Sequence, residues 1–383
     1  MHLDWILACS VCANTRAPDG LPTVCDLCGQ PWLVRYQRPA PTVTARAEVR
    51  RGHGMWRFRP FLPLAEGEHP VTLGEGDTPL LHLRRSGARI GLPDLWLKDE
   101  GINPTGSFKA RGLSAAVTRA VAAGATRFVI PTAGNAGVAL SAYASRAGVK
   151  ARVFAPRTTP RVILEQVRVF GGELELVDGH IGDAGRLAAA WAAAEGAYNV
   201  STQREPYRIE GKKTLAFELA VQFGWTMPDA IIYPTGGGTG LIGMWKAFTE
   251  LIDAGWVQGT PPRLYSVQAS GCAPVVRAFE AGADHGERWV DPVTVAAGLR
   301  VPEPLGDRLM LRALRESGGG AIAVSDEELT EAARDASSTE GVDVSPEGGA
   351  AFAAAGHLRR MGTLGPESRV VIFNTGAGWL YRA

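Results

Sequence analysis

From Leu95 onward the chain alternates short apolar runs with alanine-rich helical stretches, and that rhythm leaves few folds open. Residues 95–98, 127–130, 150–154, 174–177, 230–233, 263–267 and 369–373 read as strands. Residues 138–147, 161–170, 184–195 and 241–252 read as helices between them. Strands separated by helices in this way predict an α/β fold, with parallel sheets covered on both faces. Ligands of such sheets sit where strands end and helices begin. At 383 residues the chain is long enough for two or three domains.

Charge excludes several classes of partner. Lys plus Arg number 40 against 39 for Asp plus Glu, a net charge of +1, which gives no electrostatic reason to bind nucleic acid or an anionic membrane. No apolar run approaches the ~18 residues of a membrane span. The N-terminus, Met1 to Ala8, lacks the basic region and apolar stretch of a signal peptide, so the expected location is cytoplasmic.

Four of the five cysteines form two short pairs, Cys9-x2-Cys12 and Cys25-x2-Cys28, with twelve residues between them. Each pair can place two thiolates on one metal, and two pairs complete a closed tetrahedral zinc site; reduced free thiols are the alternative. A closed site leaves no open position for catalysis, so the expected role is to fold the N-terminus. Cys272 stands alone and reads as a small core residue. Residues 38–68, rich in Pro and Arg, read as a linker able to pack on the main body.

Three strand-to-helix junctions carry the chemistry. The first, Asn103-Pro-Thr-Gly-Ser-Phe-Lys109-Ala-Arg-Gly112, places Lys109 in the first turn of a helix. Unpaired amides there carry partial positive charge and disfavour an ammonium, so Lys109 is expected to lose its proton more readily than a free lysine. A neutral amine is what an imine with an aldehyde cofactor requires; the alternative is a solvated helical lysine. The second junction, Thr235-Gly236-Gly237-Gly238-Thr239-Gly240, suits a phosphate cradle at a helix start. It is not a Walker A loop, and the following strand does not end in the acidic residue a dinucleotide site needs. A structural glycine turn is the alternative. The third, Pro131-Thr132-Ala-Gly-Asn135-Ala-Gly137, offers an amide at Asn135 and, at Gly137, room for a planar ring, with a simple turn as the alternative. Thr375 follows the last strand and offers a hydroxyl.

Together these segments resemble the threonine-synthase branch of the fold-type-II pyridoxal-phosphate enzymes. The likeness runs from Leu73-Gly-Glu-Gly-Asp-Thr-Pro79 to Thr375 and includes Tyr207-Arg-Ile-Glu-Gly-Lys-Lys-Thr214; the cysteine segment resembles that of several threonine synthases. The resemblance implies two parallel-sheet domains of the tryptophan-synthase-β-like architecture behind an N-terminal ribbon. It divides the chain into a ribbon (1–38), a linker and start of the large domain (39–94), a small cofactor-covering domain (95–200) and a large cofactor-binding domain (201–383). It implies that Lys109 forms the imine with pyridoxal 5'-phosphate and serves as the base. By the same likeness Asn135 bonds the phenolic oxygen, Gly236 to Gly240 hold the phosphate, and Thr375 faces the pyridine nitrogen. Arg208, Lys212 and Thr132 are the implied substrate contacts, with a structural ion pair as the alternative for Arg208. The implied reaction converts O-phospho-L-homoserine and water to L-threonine and phosphate, in a homodimer.

Four departures bear on the substrate. Ala110 stands where many threonine synthases have aspartate, and Thr202-Gln203 where some have an Asn-Ser pair that helps bind the substrate phosphate. The glycine loop is closer to that of some dehydratases, and Gly378-Trp-Leu-Tyr381 lacks a Leu-Lys often found there. They keep open β-elimination or β-replacement, as in a threonine or serine dehydratase or a cysteate-synthase-like enzyme. A non-catalytic, zinc-dependent binding protein on the same fold is the third reading.

Overall fold

A computed structural model describes residues 3–382; Met1, His2 and Ala383, with the N-terminal reading that includes the first two, lie outside the described residues. The chain opens with β1 (Trp5–Cys9), β2 (Thr15–Arg16), β3 (Trp32–Tyr36) and α1 (Arg46–Arg51). It continues through β4 (Leu80–His82), α2 (Arg84–Ile90), β5 (Leu95–Asp99), α3 (Lys109–Ala122), β6 (Arg127–Pro131) and α4 (Asn135–Arg146). Next come β7 (Lys150–Pro156), α5 (Arg161–Val169), β8 (Glu173–Val177), α6 (Ile181–Glu195), β9 (Tyr198–Asn199) and α7 (Tyr207–Gln222). The last stretch holds β10 (Ala230–Pro234), α8 (Thr239–Asp253), β11 (Arg263–Ala269), α9 (Pro274–Glu280) and α10 (Asp307–Glu316). It ends with β12 (Gly320–Val324), α11 (Asp326–Glu340), α12 (Pro346–Arg360) and β13 (Val370–Asn374). Among the described residues no helix is long and apolar enough to cross a membrane.

The chain divides into two compact units. The first comprises the residues up to Gly76 and Asn103–Thr214. It holds an antiparallel sheet in the order β2-β1-β3 and a parallel sheet in the order β8-β7-β6-β9. In the small sheet Trp5 and Leu7 of β1 bury alongside Trp32 and Val34 of β3, the two-residue period of a sheet with one covered face. In the parallel sheet Phe128, Val129 and Ile130 of β6 are all buried, as expected of a strand covered on both faces. Met55, Phe58 and Phe61 bury along the segment Met55–Phe61, with Leu62 behind them. The segment is two short 3-10 turns joined by a kink at Phe58 (φ −86°, ψ 17°), and the surrounding Pro and Arg obscure it in the sequence.

The second unit comprises Asp77–Ile102 and Leu215–Arg382. Its six-stranded sheet runs β12-β11-β10-β13-β5-β4, parallel except for β4, which pairs antiparallel with β5 at the edge. Leu95, Leu97, Ile232 and Ile372 bury with Ala350, Ala351, Ala354 and Ala355 of α12. Small residues on α12 allow close approach: a Cβ on Gly348 would lie 2.6 Å from Asn374 Oδ1. The expected boundaries at 94/95 and 200/201 are therefore corrected. Leu97 of β5 pairs with Ile372 of β13, so the strand before Lys109 belongs to the large sheet. Parallel strands pair across long crossovers, so neighbours in sequence need not share a sheet.

Candidate active site

The first unit carries the Lys109 junction. Pro104–Gly106 form one 3-10 turn, and Thr105 (φ 65°) and Gly106 (φ 70°) adopt left-handed backbone in succession. That reversal ends just before Lys109, the first residue of α3. A left-handed threonine is uncommon and costs roughly 1–3 kcal/mol, a sign of a site rather than an idle turn. The Thr105 and Ser107 hydroxyls are buried without hydrogen-bond partners. Lys109 Nζ lies 4.5 Å from the centroid of the Phe108 ring, and Lys212 Nζ lies 4.2 Å from the same ring. Lys212, fully buried, also donates to the Phe108 carbonyl.

Behind this junction Glu75, fully buried, accepts from Trp56 Nε1 at 3.0 Å and Tyr143 Oη at 2.7 Å. Burial and the Glu75 charge push the Tyr143 phenol well up. Asn135 is the first residue of α4, and Gly134 just before it donates its amide to Thr132 Oγ1 at 3.1 Å. A Cβ on Gly137 would lie 2.6 Å from Thr132 Cγ2 and 2.9 Å from Val153 Cγ1, so this glycine serves close packing.

Arg208 lies in the first turn of α7 and is fully buried. Its Nη1 donates to Val200 O at 2.8 Å, while Nε and Nη2 have no hydrogen-bond partner. The expected alternative, a structural ion pair, is not what holds it. Glu205 accepts the amides of Tyr207 and Arg208, at 2.8 and 3.1 Å, and so caps the helix start. Burial pushes the Glu205 carboxyl up to about 7, against the opposing pull of Arg208 and those amides. Burial likewise lowers the Arg208 value, offset by Glu205. Gln203, at φ 62° and 1% exposed, has neither amide atom hydrogen-bonded. The segment therefore presents two buried side chains, Gln203 and Arg208, with unused hydrogen-bonding capacity.

The helices bearing Lys109 and Arg208 cross at two glycines. A Cβ on Gly112 would meet Arg208 O and Lys212 Cε at 3.1 Å, and one on Gly211 would lie 2.2 Å from Arg111 O. Lys109, Arg208 and Lys212 are thus brought onto one crossing, and Thr132 and Asn135 lie together at the start of α4.

The second unit carries the glycine loop between β10 and α8. Gly238 (φ 74°) caps α8, whose leading amides have no intrahelical partner. The loop is closely backed: a Cβ on Gly236 would lie 2.2 Å from Gly298 O, and one on Gly238 2.0 Å from Met310 Sδ. Gln268 Nε2 donates to Thr235 O, and its Oε1 accepts from Val275 N at 2.8 Å, which pins the loop to β11 and α9. Glu347, 3% exposed, accepts from Gly298 N at 2.7 Å through Oε1, while Oε2 has no partner; burial raises its carboxyl. Thr375 follows β13 and is 6% exposed, beside Asn374, which donates to Asp99 Oδ1 at 2.9 Å.

The ribbon brings Cys9, Cys12, Cys25 and Cys28 together, with all four sulfurs within 4.8 Å of one another. Cys9–Cys28 and Cys12–Cys25 stand at 3.4 and 3.6 Å. A zinc tetrahedron with bonds of ~2.3 Å has sulfur–sulfur edges of ~3.8 Å, so the set fits that ion. Cys272 is fully buried in the second unit, as a core residue should be.

Glu205 and Glu347 escaped the sequence reading, whereas Gln203 enters it only as a departure from the family's Asn-Ser pair. Single carboxylates and amides carry no spacing signal, and only burial shows what they do.

A family model described as pyridoxal-phosphate dependent enzyme matches residues 71–376. Threonine synthase of Methanosarcina acetivorans is 32% identical over 373 residues, 97% of this chain and 91% of that protein. An L-serine ammonia-lyase structure from Rhizomucor miehei aligns with TM-score 0.69 and 26% identity, over 82% of this chain and 99% of that one. A maize serine racemase structure, at TM-score 0.70 and 22% identity over 89% and 94%, shares the fold. The chain belongs to the pyridoxal-phosphate-dependent enzymes, and within them it is threonine-synthase-like.

Proposed function

We propose that this enzyme converts O-phospho-L-homoserine and water to L-threonine and phosphate. The observation that carries the reading is Arg208, a fully buried guanidinium with two nitrogens left without partners. A buried cation with unused donors suits an anionic group, and arginine matches phosphate oxygens in a bidentate fork. Pyridoxal phosphate supplies the electron sink that makes the hydrogens on Cα and Cβ of an amino acid acidic. Lys109 would hold the cofactor through its Nζ, and the same amine is placed to take and return the proton at Cα. The amides of Gly236 to Gly240 would hold its phosphate, Asn135 would bond its phenolic oxygen, and Thr375 would offer its hydroxyl to the ring nitrogen. Arg208 and the Gln203 amide bind the departing phosphate, with Lys212 and Thr132 in support. The Cγ–O bond breaks, the Cβ hydrogen is replaced by the hydroxyl of water, and Cγ gains a hydrogen. The water's remaining proton leaves with phosphate.

A second reading, β-elimination or β-replacement, draws on Glu205. Its carboxyl, buried near Arg208, offsets the guanidinium charge offered to a doubly charged leaving group once it ionises above about pH 7. Phosphate release from O-phosphohomoserine, with the product identified, separates the two. Equal amounts of phosphate and threonine are expected. A keto acid formed from serine or threonine, without phosphate release, would move the assignment to the second reading. The four cysteines hold structural zinc in this account, the fold is the tryptophan-synthase-β-like one, and the active form is a cytoplasmic homodimer. About one zinc per chain by metal analysis is the expected content for one four-thiolate site.

A further inference from the structure

The ribbon does more than close the N-terminus, because its core is shared with the helices that carry the site. Trp5, Leu7, Cys25, Trp32 and Val34 bury in one cluster with Ala116 of α3 and Tyr207 of α7. Cys25 is therefore both a member of this core and one of the four clustered thiols. The Arg119 guanidinium lies 4.9 Å from the Trp5 ring and 6.0 Å from the Tyr207 ring. Tyr36 at the end of β3 donates to Glu210 Oε2 at 2.7 Å, and Tyr198 donates to Pro22 O at 2.6 Å. The ribbon thus grips α7 at Tyr207 and at Glu210, on either side of Arg208.

Tyr207 and Arg208 share the first turn of α7, where neighbouring side chains project ~100° apart around the axis. A shift of Tyr207 must turn or lift Arg208 with it. A three-stranded sheet with two tryptophans is too small to order itself by burial alone, and four thiolates on a metal supply the missing constraint. We infer that the four-cysteine ribbon is a positioning module for the substrate's anionic arm: its metal-ordered core holds Tyr207, and Tyr207 sets where the Arg208 guanidinium points. This rests on the reading of Arg208 as the contact for that arm.

The test uses full-length, cofactor-loaded protein, metal-replete, stripped with a chelator, and reloaded with zinc. Stripping is expected to raise KM for O-phosphohomoserine and weaken calorimetric binding of inorganic phosphate by ~10-fold or more, the scale of a sub-ångström misplacement. The visible cofactor absorbance and kcat stay within about twofold, a split that loss of Arg208 aim alone accounts for, and zinc restores the rest. Tyr207→Ala reproduces the stripped behaviour in zinc-loaded protein, while Tyr207→Phe, which keeps the ring, does not. In an Arg208→Gln background Tyr207→Ala adds nothing further, the signature of one residue acting through another. Unchanged KM and phosphate affinity after stripping would overturn the inference. So would parallel loss of kcat and cofactor absorbance, which marks a ribbon needed only for folding, or additive effects of the two substitutions. If Arg208→Gln alone leaves KM and phosphate affinity unchanged, the Arg208 reading fails first, and the inference with it.

Discussion

Arg208 and Glu205 lie three residues apart, and both are removed from water. Burial dominates the Glu205 carboxyl, so its folded value rises to about 7 from the ordinary 4.5. Between those values the folded state holds a proton that the unfolded chain has released. Stability from this group is therefore full below pH 4.5 and declines as pH rises to about 7. Glu205→Gln, neutral throughout, should gain on the wild type across that window in urea unfolding measured at a series of pH values. A difference between the two proteins that does not change with pH would contradict the assignment. Arg208 itself was legible beforehand, because it sits in a recognisable Tyr-Arg-x-Glu-Gly pattern. Its state was not. Whether a guanidinium is paired or waiting depends on what folds around it, and Gln203 and Glu205 come from the loop before the helix.

At the scale of elements, the crossing of α3 and α7 depends on backbone meeting backbone. Gly211 has no room for a side chain, since its added Cβ would lie 2.2 Å from Arg111 O and 3.0 Å from Gly112 Cα. Gly211→Ala should cost about 2 kcal/mol or more, the scale of forced overpacking, because neither helix can yield without moving Lys109 or Arg208. A lowered urea midpoint with weakened cofactor binding is expected; an unchanged midpoint would show that the helices can separate freely. Most strands and helices were readable from their apolar rhythm, with ends displaced by a few residues. The helix expected at 138–147 begins at Asn135, and the strand expected at 150–154 runs on to Pro156. The packed segment at Met55–Phe61 was missed, because each of its two 3-10 turns is too short for a periodic signal.

For the whole molecule, sequence order misleads about assembly. β5 precedes Lys109 by ten residues yet completes the large sheet, whereas the helix it leads into belongs to the other unit. Which strands share a sheet is decided by pairing across crossovers, and no local pattern records it. The relatives, alike over 97% of the chain in one case, extend the comparison to the ribbon as well as the catalytic body. Lys109, rather than its neighbour Lys212, is the residue proposed to hold the cofactor. Lys212 makes the question sharp, because its Nζ lies as near the Phe108 ring as that of Lys109 does. Borohydride reduction of the cofactor-loaded protein, followed by peptide mapping, decides between them. A pyridoxyl group on the Lys109 peptide is the predicted result; one on the Lys212 peptide, or none at all, would contradict the account.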